Sequence, residues 1–210
     1  FYGLAAQELE AEQGGIACFL EGASGSTHRF DPAPGEATKR IKQAVLDALA
    51  QAEPQEVREM ASIKRPFEFK VRTFDEAAED KAVSDYCRKR SGAAADGTIA
   101  VFREMRKQLA PHQGETRTTW LQALAIGDVA IVGVPAEFFT KLGVDIKRRS
   151  PFKHTLVAEL ANDWIGYIGD REGYKLGGYQ MWVGLHSYAE PGTGERIVEE
   201  CVKMLNGLTR

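Results

Sequence analysis

The chain has 210 residues, of which 43% are hydrophobic and 27% charged, and its 27 basic and 30 acidic side chains leave a net charge of −3. That balance excludes a nucleic-acid binder driven by phosphate neutralisation, which needs a basic face. No apolar run approaches the roughly 20 residues of a membrane span, and the length suits one domain able to bury roughly 70% of the surface its unfolded form exposes.

Taken in chain order, residues 2–12 read as a helix with Leu4, Ala5 and Leu9 on one side, stopped by Gly14-Gly15. The short apolar run Ile16-Ala17-Cys18-Phe19-Leu20 predicts a buried strand with Cys18 as a small buried hydrophobe. It enters the small-residue loop Gly22-Ala23-Ser24-Gly25-Ser26-Thr27-His28. A strand that ends in such a loop is one way to place polar groups at the carboxyl edge of a sheet. Asp31-Pro32-Ala33-Pro34-Gly35 predicts a turn, and residues 36–51 predict an amphipathic helix with Ala37, Ile41, Ala44, Val45, Ala48 and Leu49 on its apolar face.

Phe67, Phe69 and Val71 alternate with Glu68, Lys70 and Arg72, which predicts a half-buried strand. Two polar helical stretches, 75–89 and 98–109, place a helical surface excursion over 73–116. A strand over 117–125, a turn at Gly127-Asp128 and an apolar strand over 129–134 follow. Pro135-Ala136 predicts the opening of a helix with Phe138, Leu142 and Ile146 on one face. Lys147-Arg148-Arg149 at its end complements the helix dipole. A short strand over 154–160, a Gly- and Tyr-rich stretch over 168–192 with little periodicity, and a last helix over 193–208 complete the chain. The last helix carries Ile197, Cys201, Met204, Leu205 and Leu208 on one stripe. The order predicts an α/β fold, a mixed sheet flanked by helices, as a single domain over 1–210.

The three cysteines Cys18, Cys87 and Cys201 form no C-x-x-C pair, so no zinc knuckle, redox pair or disulfide framework is indicated. Walker A, G-x-G-x-x-G, H-E-x-x-H and the G-x-S-x-G elbow are all missing. His112 sits in a polar loop, and His154 and His186 have no metal-spaced partner. Read from residue chemistry alone, Glu137 is either an acid in a first helical turn or a functional carboxylate. Tyr167 and Tyr179 are either packing aromatics under a long loop or ligand contacts in glycine-rich surroundings. Enzyme and binding module stand level on these residues.

The ordered set of segments resembles the neutral/alkaline non-lysosomal ceramidase family. The resemblance is carried by Gly14-Gly15 before an apolar run and Gly22-Ala23-Ser24-Gly25 after it, then Val132-Gly133-Val134-Pro135-Ala136-Glu137-Phe138-Phe139. Asn162-Asp163-Trp164-Ile165-Gly166-Tyr167-Ile168, a tyrosine at 179 after Gly177-Gly178, and Pro191-Gly192-Thr193-Gly194-Glu195 follow. It covers nearly all of this chain and the C-terminal half of the family's catalytic domain. It implies a zinc-dependent hydrolase of the N-acyl bond of ceramide, or of a related amide or ester, acting through a metal-activated water. Glu137 and Tyr167 would be metal ligands, Tyr179 would sit at the reacting carbonyl, and Gly25, Ser26 and Thr27 would contact substrate. Where the family loop reads G-D-x-S-P, this chain has Gly25-Ser26-Thr27-His28-Arg29, which offers His28 as a general acid–base.

Trp164, Tyr174, Met181 and Trp182 would form either an apolar substrate rim or core. The family's histidine ligands lie in its N-terminal half, so the chain is expected to be a fragment or one partner of a two-chain assembly, with any secretory or membrane-targeting signal upstream of Phe1. The alternatives are a metal-free binding or scaffold half-domain and a hydrolase that works through His28 without metal.

Overall fold

The computed structural model describes residues 1–28, 32–54 and 56–209. Arg29 of the loop and Asp31 of the expected turn lie outside the described residues. The chain divides into two units: Phe1–Glu21 with His28–Arg58, and Gly22–Thr27 with Glu59–Arg210.

The first unit contains α1 (Tyr2–Gln13) and α2 (Pro34–Ala50). Pro34 at the first helical position of α2 suits the fixed φ of proline. Lys42 on α2 pairs with Glu8 and Glu12 on α1 at 3.1 and 2.5 Å. Only Ala5, Leu9, Ala37 and Thr38 are buried in the two helices, so the predicted apolar face of α2 stays largely open. The strand expected at 16–20 is absent. That segment has no ladder partner among the described residues, and an apolar run becomes a strand only when its backbone groups are paired. Ile16 is 87% exposed, Tyr2 stacks on Phe19 at 4.1 Å, and Cys18 is exposed rather than buried. Thiol labelling of the native protein should therefore modify Cys18 fast and leave Cys201 protected, since burial holds the Cys201 thiol up at about 12. Labelling of Cys201 at the rate of Cys18 would contradict this fold.

The second unit is built on a four-stranded mixed sheet of order β1-β2-β3-β5, using β1 (Met60–Lys70), β2 (Thr116–Ile126), β3 (Val129–Gly133) and β5 (His154–Ala158). The first three strands are antiparallel, and β5 runs parallel to β3. The strand expected around Phe67 extends back to Met60, through Pro66. Proline is tolerated there because β1 is an edge strand, whose N–H groups on one side have no ladder to join. Between β1 and β2 come α3 (Glu76–Ser91) and α4 (Asp96–Leu109), which bury Val83, Cys87, Ala95, Ile99 and Phe102 in a cluster shared with Trp182.

After β3 the chain forms β4 (Glu137–Phe138) and α5 (Thr140–Arg149) before β5. Then come β6 (Tyr167–Ile168), α6 (Arg171–Leu176), a 3₁₀ turn at Tyr179–Met181 and α7 (Thr193–Leu208). Ile197, Cys201, Met204 and Leu205 recur at helical spacing along α7, and all four are buried against the sheet and α5. Arg149, last of the basic run, reaches Glu199 of α7 with two bonds of 2.7 Å. The chain thus builds the expected mixed sheet flanked by helices. No helix among the described residues is long and apolar enough to cross a membrane.

Candidate functional site

Strands β3 and β5 are parallel, and both send their chains past their carboxyl ends into a second, two-stranded parallel sheet of β4 and β6. Its register pairs Glu137 with Tyr167 and Phe138 with Ile168. Directly paired residues of a ladder point to one face, so the Glu137 carboxylate and the Tyr167 phenol are neighbours. Both are half-buried.

This corrects the expected helix start at Pro135. Residues 137–138 are extended, and Phe139 keeps that conformation (φ −65°, ψ 138°), so α5 begins only at Thr140. The N–H groups that a helix would leave unpaired have partners here. Glu137 N–H donates to Gly166 O at 3.0 Å, Phe139 N–H to Ile168 O at 3.1 Å, and Phe138 N–H to the Glu159 carboxylate at 2.8 Å. Glu137 therefore lies in a strand and not in a first helical turn.

Tyr179 follows Gly177 and Gly178 in the 3₁₀ turn and is half exposed. Its ring lies edge-on to that of Tyr167, with centroids 5.8 Å apart. His186 holds Tyr179 from behind: the rings are 5.0 Å apart, and Nε2 donates to the Tyr179 carbonyl at 2.8 Å. A carbonyl can only accept, so the proton is on Nε2. Among the described residues the buried Nδ1 has no hydrogen-bond partner, and burial holds the imidazole pKa below its usual value. Phe102 of α4 packs edge-on against Tyr179, Trp182 and His186.

The Gly22–Thr27 loop is fastened to β4 and α5. Gly25 N–H donates to Phe138 O at 2.9 Å, and the approach is so close that a Cβ on Gly25 would lie 2.4 Å from Glu137 O. Ser26 Oγ accepts the first N–H of α5, from Thr140, at 3.1 Å, and the Thr27 hydroxyl donates to Ser24 O at 2.8 Å. Both hydroxyls are thus engaged within the protein. His28 is exposed and belongs to the first unit. Of the side chains proposed as a rim, Met181 and Trp182 are buried, and Tyr174 donates its hydroxyl to Ala189 O at 3.0 Å, with burial pushing its phenol up to about 12. Trp164 is half exposed.

The structure therefore brings Glu137, Tyr167 and Tyr179 together and sets the Gly25 loop on the same segment. Two participants escape the sequence reading, His186 and Glu159. Glu159 has a readable signal: it continues the buried phase of β5 two residues after Val157, where a carboxylate is out of place.

The environment holds the Tyr167 phenol protonated. Burial raises its pKa first, and the charges of Glu137, Tyr179 and Glu159 raise it further. A cation would reverse that electrostatic logic. Carboxylate and phenol oxygens are donors a hard or borderline cation accepts, so the chemistry of the pair fits zinc. The described residues contain no group of three or more His, Cys, Asp or Glu placed to hold a metal ion.

The fold matches part of neutral ceramidase from Pseudomonas aeruginosa, with a TM-score of 0.65 and 18% identity over 98% of this chain and 40% of that one. A structure of ceramidase complexed with C2 matches with a TM-score of 0.63 and 16% identity, over 98% and 41%. At such identities the likeness establishes the fold, and the chain spans about 40% of the length of these structures. No protein-family model matches the chain, and no curated protein sequence matches it.

Proposed function

We propose that this chain carries the acid–phenol part of the active site of a ceramidase-like zinc hydrolase, which cleaves an N-acyl amide or a related ester. The observation that supports this best is the ladder pair Glu137–Tyr167 with the Tyr179 ring beside it, in a fold shared with neutral ceramidase. Glu137 and Tyr167 would hold zinc together with donors from outside the described residues, histidines by the resemblance. When bound, the ion supplies Lewis-acid activation of water and polarisation of the scissile carbonyl.

The remaining work falls to this chain. Tyr167 would have to give up its phenol proton to hold the cation, so metal uptake would be accompanied by proton release. Tyr179, half exposed and fixed from behind by His186, donates a hydrogen bond to the developing oxyanion. Ser26 and Thr27 are engaged in the fold, so their proposed contribution to substrate is to shape the loop that Gly25 brings against Glu137. His28 is the proposed acid–base group.

The complete protein should contain about one zinc per chain and hydrolyse a short-chain ceramide, and a strong chelator should remove both properties. Tyr179→Phe should lower kcat by about 10²–10³-fold with little change in KM, the usual cost of deleting one oxyanion donor. Turnover that survives chelation would overturn the metal reading and favour His28. A folded complete protein with neither zinc nor turnover would be a binding module.

A further inference from the structure

Glu159 is 6% exposed, and its two oxygens accept from three donors. Oε1 accepts from Ser24 Oγ at 2.5 Å, while Oε2 accepts from Ser24 N–H at 3.1 Å and from Phe138 N–H at 2.8 Å. Among the described residues no Lys, Arg or His forms an ion pair with it. A buried carboxylate without a cation is uncommon, because desolvation of the charge is only partly offset by hydrogen bonds. A carboxylate nevertheless suits this position. Both backbone N–H groups need an acceptor, and the charge of a carboxylate strengthens all three bonds beyond what a neutral amide would give.

The three bonds converge on the candidate site. Phe138 N–H belongs to the residue after Glu137, and Ser24 belongs to the loop whose Gly25 abuts the Glu137 carbonyl. The charge is also felt by the Tyr167 phenol on the paired strand.

We infer that Glu159 is a positioning residue for the Glu137–Tyr167 pair. It fixes the backbone that carries Glu137, mounts the Gly22–Thr27 loop on that backbone, and adds negative charge that would favour a cation held by the two donors. Three of its roughly four acceptor sites are taken by protein donors, so its part is to orient rather than to coordinate. The part concerning the cation rests on the reading of Glu137 and Tyr167 as metal donors, whereas the fastening of the backbone does not.

The test uses the complete protein with Glu159→Gln, reading zinc affinity by competition with a chromophoric chelator and hydrogen exchange at the Phe138 and Ser24 amides. Zinc affinity should fall about 10–100-fold, as it does on loss of groups that orient metal ligands, and both amides should exchange faster. Unchanged affinity overturns the inference, and with faster exchange it leaves Glu159 as a fold anchor alone. If the wild-type protein binds no zinc, the metal reading has failed on its own account. The amides then decide the fastening alone: faster exchange in Glu159→Gln upholds it, and unchanged exchange overturns it. If Glu159→Gln does not fold, Glu159→Asp replaces it. Aspartate keeps the charge but falls one methylene short of Phe138 N–H, and the same outcomes apply.

Discussion

Glu137→Gln should strip zinc from the complete protein and reduce turnover roughly 10³-fold or more, the scale of losing several kcal/mol of transition-state stabilisation. Glutamine matches the acid in size and keeps one acceptor oxygen, so charge is the main change. The main-chain bonds that place the residue, Glu137 N–H to Gly166 O and Phe138 N–H to Glu159, do not involve its side chain and should survive. The variant should therefore unfold cooperatively with its β4–β6 ladder intact. A second readout is independent of activity. The Glu137 charge raises the Tyr167 pKa, after the larger effect of burial, so neutralising it should lower the pKa of that phenol in a metal-free sample. Resonance-resolved titration of the tyrosines would show the shift. Full zinc occupancy in Glu137→Gln would remove this carboxylate from the metal site.

Much of the scaffold is legible in the sequence because it obeys simple periods. The stripe of α7 and the apolar run of β3 report directly on burial, and the helix over Thr193–Leu208 has the bounds its pattern predicts. Where structure and pattern part, pairing decides the outcome. Ile16-Ala17-Cys18-Phe19-Leu20 has strand composition but no ladder to join among the described residues. Pro135-Ala136-Glu137 has the composition of a helix start, yet the carbonyls of Gly166 and Ile168 and the carboxylate of Glu159 take the N–H groups first. Local sequence cannot show a competition settled by residues 20 to 30 positions away. The same holds for the site: Glu137, Tyr167 and Tyr179 are singled out through family resemblance, and their convergence depends on a two-residue strand pair too short to leave a periodic signal. His186 lies in a stretch without periodicity and lacks a metal-spaced partner, and its part is to hold the Tyr179 carbonyl, which no spacing announces.

Gly166→Ala should be the most damaging single methyl in this region. Gly166 has φ +79°, and a Cβ there would lie 2.4 Å from the His186 carbonyl oxygen and 3.2 Å from Ser187 N, both backbone atoms that cannot rotate away. The left-handed conformation costs an L-residue about 1–2 kcal/mol, and forced overpacking adds about 1–3 kcal/mol. The sum, about 2–5 kcal/mol, corresponds to a fall in Tm of roughly 4–20 °C for a chain of this size. Gly127→Ala separates the two costs. Gly127 has φ +58°, and nothing lies within 4 Å of where a methyl would stand, so that variant should show the conformational cost alone. The excess loss in Gly166→Ala then measures how firmly the His186 carbonyl grips β6, since Tyr167 N–H donates to that oxygen at 2.7 Å. The damage should also reach function. Gly166 O receives the Glu137 N–H, so displacing residue 166 loosens both members of the Glu137–Tyr167 pair at once. Equal melting of the two alanine variants would mean that this grip is slack, and that the register of β4 and β6 is held by something other than the His186 backbone.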